Sequence, residues 1–208
     1  MTDRPRISVL DYGIGNLRSA QKGLERAGAD AHLTADPEEV AVADGVVLPG
    51  VGNFGRCVEA LQAHGVDVIA KDAAASGRPF LGICVGMQLL FEGSEESPDR
   101  AGLGILPGMV RLLPDTVKRP QMQWNAIDVT RPSPLLVGLD GAWLYFVHSY
   151  AADPAAAPDH VIATCSYGGP VVAAVQHDNV FATQCHPEKS SEAGRRLLAN
   201  FVDLCRGS

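Results

Sequence analysis

Short apolar runs that alternate with amphipathic helical segments constrain the fold of this chain more than any other feature. In the first half, the apolar runs are residues 7–10, 31–33, 46–48 and 79–83. Strands that alternate with helices predict parallel βαβ units and an open, doubly wound sheet. Ligands in such sheets lie beyond the carboxyl ends of the strands. We therefore expect Asp11, Gly50 and Cys84, which follow strand ends, to line one rim of the sheet.

The second half carries a different pattern. Proline and glycine turns separate six runs with strand character, residues 109–113, 124–129, 143–150, 161–166, 171–176 and 180–185. We interpret these runs as antiparallel additions to the sheet, and residues 191–205 as a closing amphipathic helix. A chain of 208 residues is long enough for one domain with a full core. The predicted fold class is therefore α/β, a single domain over residues 1–208 with an open, mostly parallel, doubly wound sheet.

Composition argues against several classes of function. A formal net charge of −7 disfavours a nucleic-acid surface and binding to anionic membranes. No apolar stretch approaches the length of a membrane span, and we expect no signal peptide in residues 1–6. The five cysteines are odd in number and lack C-x-x-C spacing. We therefore expect a reducing, cytoplasmic setting without disulfides and without a metal site. The glycine-rich segment 12–16 lacks the clear third glycine and acid of a dinucleotide site.

A cysteine lies on a predicted strand-to-helix turn, in the sequence Gly82-Ile83-Cys84-Val85-Gly86. Such a turn is sharp, and its glycines let neighbouring segments approach closely. We expect the turn to leave the Cys84 side chain exposed above the sheet edge, and the N-terminus of the next helix to favour its thiolate. Taken alone, the pattern fits a packing turn as well as a nucleophile.

The sequence His186-Pro187-Glu188 supplies a matching base. His186 has the chemistry to take the proton from Cys84 and later give it to a leaving amine. Residues i and i+2 of an extended segment share a face, so the Glu188 carboxylate can orient the imidazole and stabilise the imidazolium. Cys185, which we expect in a strand, then points to the opposite face. Together the two motifs predict a thiol hydrolase with a Cys-His-Glu triad.

Cleavage of an amide also needs hydrogen-bond donors aimed at the developing oxyanion. The Val85 N–H, just past the nucleophile, is one natural donor. We expect a second donor in the Gly50-Val51-Gly52 segment, although a tight strand-to-helix turn would use the same glycines.

Two polar residues compete for further roles. Gln88 lies one helical turn after Cys84 on the same face, and simple helix propensity is the alternative explanation. His148 is the other candidate base, but it lacks a carboxylate two residues away. We interpret His148 as part of the substrate pocket.

These motifs resemble those of the class I glutamine amidotransferases, whose pattern is G-x-C-x-G-x-Q followed by H-P-E. Four segments resemble, more narrowly, the branch that provides the glutaminase subunit of a histidine-biosynthesis enzyme. They are residues 11–17, 49–55, 145–150 and 186–190. The resemblance covers essentially the whole chain. It implies a flavodoxin-like amidotransferase fold, hydrolysis of L-glutamine to L-glutamate and ammonia, no cofactor, and a heterodimer with a (β/α)8-barrel cyclase that uses the ammonia.

The resemblance also implies roles for individual positions. Cys84, His186 and Glu188 match the nucleophile, the base and the orienting acid. The remaining positions of the implied oxyanion and substrate site are Gly50, Val51, Gly52, Val85, Gln88, Glu96, His148, Ser149 and Tyr150. The implied partner-interface positions are Asn16, Trp124, Asn125 and Lys189.

The chain departs from the family pattern at three positions. Gln121 and Gln123 replace a usual His and Gly. We expect these replacements to leave the chemistry of the triad untouched and to affect the geometry of the partner interface. Cys185 replaces a usual Phe, and we expect this smaller side chain to fill less space behind His186.

Two other functions stay open at this point. One is an idle interaction subunit with a degenerate site, which the intact triad disfavours. The other is a glutaminase for a different acceptor, which the segments 11–17 and 145–150 disfavour. Co-purification with a barrel-sized partner would discriminate among the three.

Overall fold

The predicted parallel βαβ arrangement is confirmed in the first half of the computed structural model, which describes residues 4–155 and 157–207. The expectation for residues 1–3 lies outside the described residues. The strands are β1 (Arg6–Leu10), β2 (Asp30–Thr34), β3 (Gly45–Gly50) and β4 (Phe80–Cys84). The helices are α1 (Leu17–Arg26), α2 (Pro37–Ala41), α3 (Phe54–Ala63), α4 (Val66–Ala75) and α5 (Val85–Leu89). Every residue of β3 and β4 is buried, as expected for central parallel strands that are covered on both faces.

The second half adds eight strands and a closing helix. The strands are β5 (Gly93–Ser94), β6 (Met109–Leu112), β7 (Gln121–Val129), β8 (Trp143–His148), β9 (Tyr150–Ala152), β10 (Val161–Ser166), β11 (Pro170–His177) and β12 (Val180–Thr183). The helix is α6 (Ser191–Arg206), and its buried side chains include Leu197, Leu198 and Phe201. The main sheet has nine strands in the order β2-β1-β3-β4-β12-β11-β10-β7-β8. Within the described ranges, no helix combines the length and apolar character needed to cross a membrane.

Three expectations for the second half are wrong. The run 109–113 does not join the main sheet, because β6 pairs with β5 and β9 in a separate three-stranded sheet. The run 143–150 is divided at Ser149 between β8 and β9. The run 180–185 is not wholly antiparallel: β12 is antiparallel to β11 but parallel to β4. The hairpin from β11 reverses the chain direction, so β12 runs in the same sense as β4. Cys185 lies beyond the end of β12 and is fully buried.

The carboxyl ends of the central strands meet at one place. Gly50 is the register partner of Cys84 across β3 and β4. The backbones are closest where α5 begins: a Cβ atom on Gly86 would lie 1.9 Å from the Leu48 carbonyl oxygen. A Cβ atom on Gly50 would lie 2.7 Å from the Gly86 nitrogen and 2.9 Å from the Tyr12 hydroxyl oxygen. Because the nearest atom in each case belongs to the backbone and cannot give way easily, glycine is required at both positions.

We predict that Gly86→Ala lowers the free energy of unfolding by at least about 3 kcal/mol, because the new methyl group overlaps the Leu48 carbonyl. Gly207→Ala is the matched control, since its Cβ would meet no atom closer than Leu204 O at 3.9 Å. Its change should stay within about 0.5 kcal/mol. Denaturant unfolding of both variants measures the difference, and equal stabilities would contradict the close contact.

Candidate active site

Cys84 occupies a strained position at the end of β4. Its φ of 56° and ψ of −113° lie where a residue with a side chain rarely occurs. Such strain typically costs about 1–3 kcal/mol and clusters at functional sites. The side chain is only 3% exposed, so the expectation of an exposed cysteine is wrong. The reason is that the second half of the chain covers this rim: the Gln184 amide nitrogen lies 3.8 Å from Cys84 Sγ.

His186 and Glu188 form a buried hydrogen-bonded pair. The His186 Nδ1–H donates to Glu188 Oε1 at 2.9 Å, and both side chains are almost completely buried. Burial alone would lower the pKa of His186, but its hydrogen bonds with Cys84 and Glu188 raise that pKa to about 9. Burial alone would raise the pKa of Glu188, but the hydrogen bond and charge of His186 hold it below its ordinary value. The pair is therefore an imidazolium and a carboxylate at neutral pH.

A cavity of about 380 Å³ brings most of the predicted residues together. Its size lies in the range of small-molecule sites. The lining residues are Val51, Gly52, Cys84, Val85, Gln88, Glu96, Pro120, Val147, His148, Ser149, Tyr150, His186 and Lys189. Gly50 lies behind this lining, where it packs against Gly86 and Tyr12. Asp11, in contrast, is absent from the lining, so the expected rim includes the ends of β3 and β4 but not that of β1.

Two buried side chains hold the peptides on either side of the Gly50–Val51 bond. The Tyr12 hydroxyl donates to the Pro49 carbonyl at 2.7 Å. The Cys57 thiol donates to the Val51 carbonyl at 3.4 Å. Both side chains are fully buried, and burial raises the pKa of Cys57 to about 11, which keeps it a thiol donor. The segment that we expect to supply an oxyanion donor is thus fixed at both ends.

His148 differs from His186 in its partner. Its Nδ1–H donates to the Tyr150 carbonyl at 2.8 Å, and its Nε2 has no hydrogen-bond partner among the residues that the structure describes. Burial lowers the pKa of His148 to about 4, and the charge of His186 acts in the same direction. His148 is therefore neutral at pH 7, and the carboxylate that would stabilise an imidazolium belongs to His186.

The expected substrate residues are held by specific contacts. Glu96 Oε2 accepts a hydrogen bond from the Phe54 N–H at 2.7 Å. The Gln88 amide nitrogen donates to the Tyr150 carbonyl at 2.9 Å and to Gln184 Oε1 at 3.0 Å. Both hydrogens of the Gln88 amide therefore bind protein acceptors, and only its oxygen can face a ligand.

The four expected interface residues do not share one environment. Trp124 is 44% exposed, and its strand neighbour Met122 is 63% exposed. Lys189 is exposed at the cavity. Asn125 donates to the Ser166 carbonyl at 2.9 Å, whereas the Asn16 amide donates to Glu188 Oε1 at 3.2 Å. The structure thus places Asn16 on Glu188, the expected orienting acid.

Several contacts of the site were not predicted from the sequence. Gln184 is the clearest case: it lies in a bend between the end of β12 and the 3-10 helix Pro187–Lys189, where strand alternation does not set the direction of a side chain. Tyr12 and Cys57 also carried no signal, because their contacts join segments that the local pattern does not relate. Gln121 is completely buried, so the substitution of the usual His at this position lies inside the fold.

Comparisons with known proteins agree with the geometry. The family model for class I glutamine amidotransferases matches residues 8–205. An "Imidazole glycerol phosphate synthase subunit HisH" from Syntrophotalea carbinolica is 51% identical over 95% of this chain and 100% of that relative. A relative with the same name from Halobacterium salinarum is 50% identical over 96% of this chain and 93% of the relative.

Solved structures resemble the fold at lower sequence identity. The PurLQS structure from Thermotoga maritima has a TM-score of 0.77 at 20% identity and covers 97% of this chain and 99% of its own. The crystal structure of another glutamine amidotransferase has a TM-score of 0.73 at 19% identity, with coverage of 96% of this chain and 98% of its own.

We predict that the protonated His186 stabilises the fold in a defined pH window. Because its folded pKa is about 9 and its unfolded pKa is about 6.5, the stabilisation is complete below about pH 6.5 and is lost as the pH rises through 9. The free energy of unfolding of the wild type, relative to His186→Asn, should therefore fall across this window. Urea titrations at several pH values measure it, and a difference that grows with pH would contradict the assignment.

Proposed function

Because the chain belongs to the class I glutamine amidotransferase family, and within it to the family of HisH subunits, we propose that it hydrolyses L-glutamine to L-glutamate and ammonia. One observation carries the proposal: Cys84 lines the same cavity as His186, and His186 is hydrogen-bonded to Glu188. We propose that the amidotransferase domain spans residues 1–208, supported by the family match over residues 8–205.

The proposed reaction has two halves. His186 takes the proton of the Cys84 thiol, and the sulfur attacks the carboxamide carbon of glutamine. The carbon–nitrogen bond then breaks as His186 gives this proton to the leaving ammonia. The product is a glutamyl thioester on Cys84. His186 then removes a proton from water, whose oxygen attacks the thioester and releases glutamate and the sulfur. Glu188 makes no bond; it orients the imidazole and stabilises its positive charge, and Asn16 supports the same carboxylate oxygen.

The cavity lining supports the assignment of the remaining roles. The N–H groups of Val85 and Val51 are the proposed oxyanion donors. The Glu96 carboxylate offers a negative charge for the ammonium group of glutamine. Ser149 and Tyr150 contribute to the substrate pocket with Gln88 and His148, and the low pKa of His148 fits a neutral pocket residue.

We further propose that the ammonia passes to a (β/α)8-barrel cyclase of histidine biosynthesis, with which the chain forms a heterodimer. The names of the relatives, which are subunits of a synthase, support this. The exposed apolar side chains of Met122 and Trp124 and the exposed Lys189 beside the cavity supply a surface for such a partner. The five unpaired cysteines support a reducing, cytoplasmic location.

We predict that an electrophilic glutamine analogue adds its mass at Cys84 alone and that Cys84→Ser abolishes the addition. The reason is that only this thiol combines access to the cavity with a neighbouring imidazolium. Cys205→Ser, remote from the cavity, is the matched control and should label like the wild type. Intact-protein and peptide mass spectrometry identify the site, and labelling of Cys57 or Cys185 with Cys84 untouched would refute the assignment.

A second prediction concerns the partner. The isolated chain should release glutamate slowly. The cyclase with its ribotide ligand should raise the rate about 100- to 1000-fold, which is the typical effect of gaining one oxyanion donor. Lys189→Ala should weaken this activation, whereas Lys71→Ala, on the exposed face of α4, should not. Steady-state glutamate release measures both. Full activity of the isolated chain would argue against activation by the partner, and an unchanged response of Lys189→Ala would remove Lys189 from the interface.

A further inference from the structure

A chain of three side-chain contacts ends on the sulfur of Cys84. The Gln88 amide nitrogen donates to the Tyr150 carbonyl and to Gln184 Oε1. The Gln184 amide nitrogen in turn faces Cys84 Sγ at 3.8 Å. Gln184 is completely buried and Gln88 nearly so. A buried amide needs such hydrogen-bond partners, because burying an unpaired amide costs free energy.

The orientation of both amides follows from what their neighbours can do. The Tyr150 carbonyl can only accept, so the amide nitrogen of Gln88 has to face it. The same nitrogen lies next to Gln184 and has a hydrogen to donate there, so the Gln184 oxygen has to face Gln88. An inverted Gln184 amide would place two NH₂ groups against each other. The NH₂ group of Gln184 is therefore directed at Cys84.

We propose that Gln184 is a further catalytic residue of this site, which donates a hydrogen bond to the Cys84 sulfur whenever that sulfur is negatively charged. The inference rests on the proposed glutaminase function and deepens it. A neutral thiol is a weak acceptor, and the contact is long. A thiolate is a stronger acceptor, because a hydrogen bond to a charged partner is shorter and stronger than a neutral one. Gln184 thus acts when the thiolate attacks and again when the thioester releases it.

Gln88 is the positioning residue in this arrangement. It does not need to touch the sulfur, because it fixes the direction of the Gln184 amide through Gln184 Oε1. Its own direction is fixed by the Tyr150 carbonyl, which also accepts from His148 at 2.8 Å. The donor at Cys84 is therefore held, through Gln88, by the backbone carbonyl of Tyr150.

The test compares Gln184→Met, which keeps the length of the side chain and removes the donor, with the wild type. The rate of Cys84 alkylation by iodoacetamide is followed as a function of pH on the full chain, and mass spectrometry confirms the site. We expect the midpoint of the pH–rate profile to move up by about one pH unit and the rate at pH 7 to fall about ten-fold. In the complex with the cyclase, kcat for glutamine should fall more than KM changes.

Gln176→Met is the matched control, because the Gln176 amide donates to the Asp178 carbonyl in an exposed hairpin; it should leave the profile unchanged. Gln88→Met should shift the profile in the same direction by a smaller amount, and it serves the test if Gln184→Met does not fold. A wild-type profile in a folded Gln184→Met, or in a folded Gln88→Met when Gln184→Met is unfolded, would overturn the inference. The alkylation profile does not depend on glutamine turnover, so it tests the contact between Gln184 and Cys84 separately. A wild type that releases no glutamate with the cyclase would refute the proposed function, and the alkylation profile would still decide whether Gln184 acts on the Cys84 sulfur.

Discussion

The backbone contact between Gly86 and Leu48 is the constraint on which the site depends. It brings the start of α5 against the end of β3, with no space for a side chain between them. The Cys84 turn and the Gly50-Val51-Gly52 segment are therefore neighbours through their backbones and not through adjustable side chains. The turn stores strain at Cys84, of about 1–3 kcal/mol. The five buried residues of β4, packed between β3 and β12, stabilise the structure by more than this strain costs, since one buried large apolar side chain alone contributes about 1.5–3 kcal/mol.

Hydrogen-bond partners overcome the effect of burial at only one of the two histidines in the cavity. Burial lowers the pKa of both, yet the pKa of His186 is raised and that of His148 is lowered. The difference is that His186 bonds to a carboxylate and a thiol, whereas the hydrogen bond of His148 goes to a carbonyl, which does not offset its burial. A buried ion pair is costly when one member is removed, because the remaining charge stays uncompensated. The charges of His186 and Glu188 therefore depend on each other.

Local patterns predicted the parts of the site that lie close together in the sequence. The strand-to-helix turn at Cys84 follows from the local pattern alone. The contact of Glu188 with His186 was expected from an extended segment, but Pro187–Lys189 is a turn of 3-10 helix, and this turn brings the carboxylate to the imidazole. Burial of Cys84 did not follow, because it depends on Gln184, which lies a hundred positions further along the chain. The small sheet of β5, β6 and β9 and the parallel pairing of β12 with β4 also depend on long-range pairing. Strand patterns give the face of each residue but not the neighbour of each strand.

One hairpin joins the proposed partner surface to the nucleophile. On β7, Met122 is exposed while Gln121 beside it is buried, because successive side chains of a strand point to opposite faces. Met122 is the register partner of Val147, which lines the cavity, and Gln121 is the register partner of His148.

Immediately after β8, the Tyr150 carbonyl accepts from both His148 and Gln88. Met122 and Trp124 lie on β7, and its paired strand β8 ends two residues before this carbonyl. From the carbonyl, the contacts run through the amides of Gln88 and Gln184 to Cys84. The end of β8 is therefore linked to the Cys84 sulfur through the side-chain amides of Gln88 and Gln184.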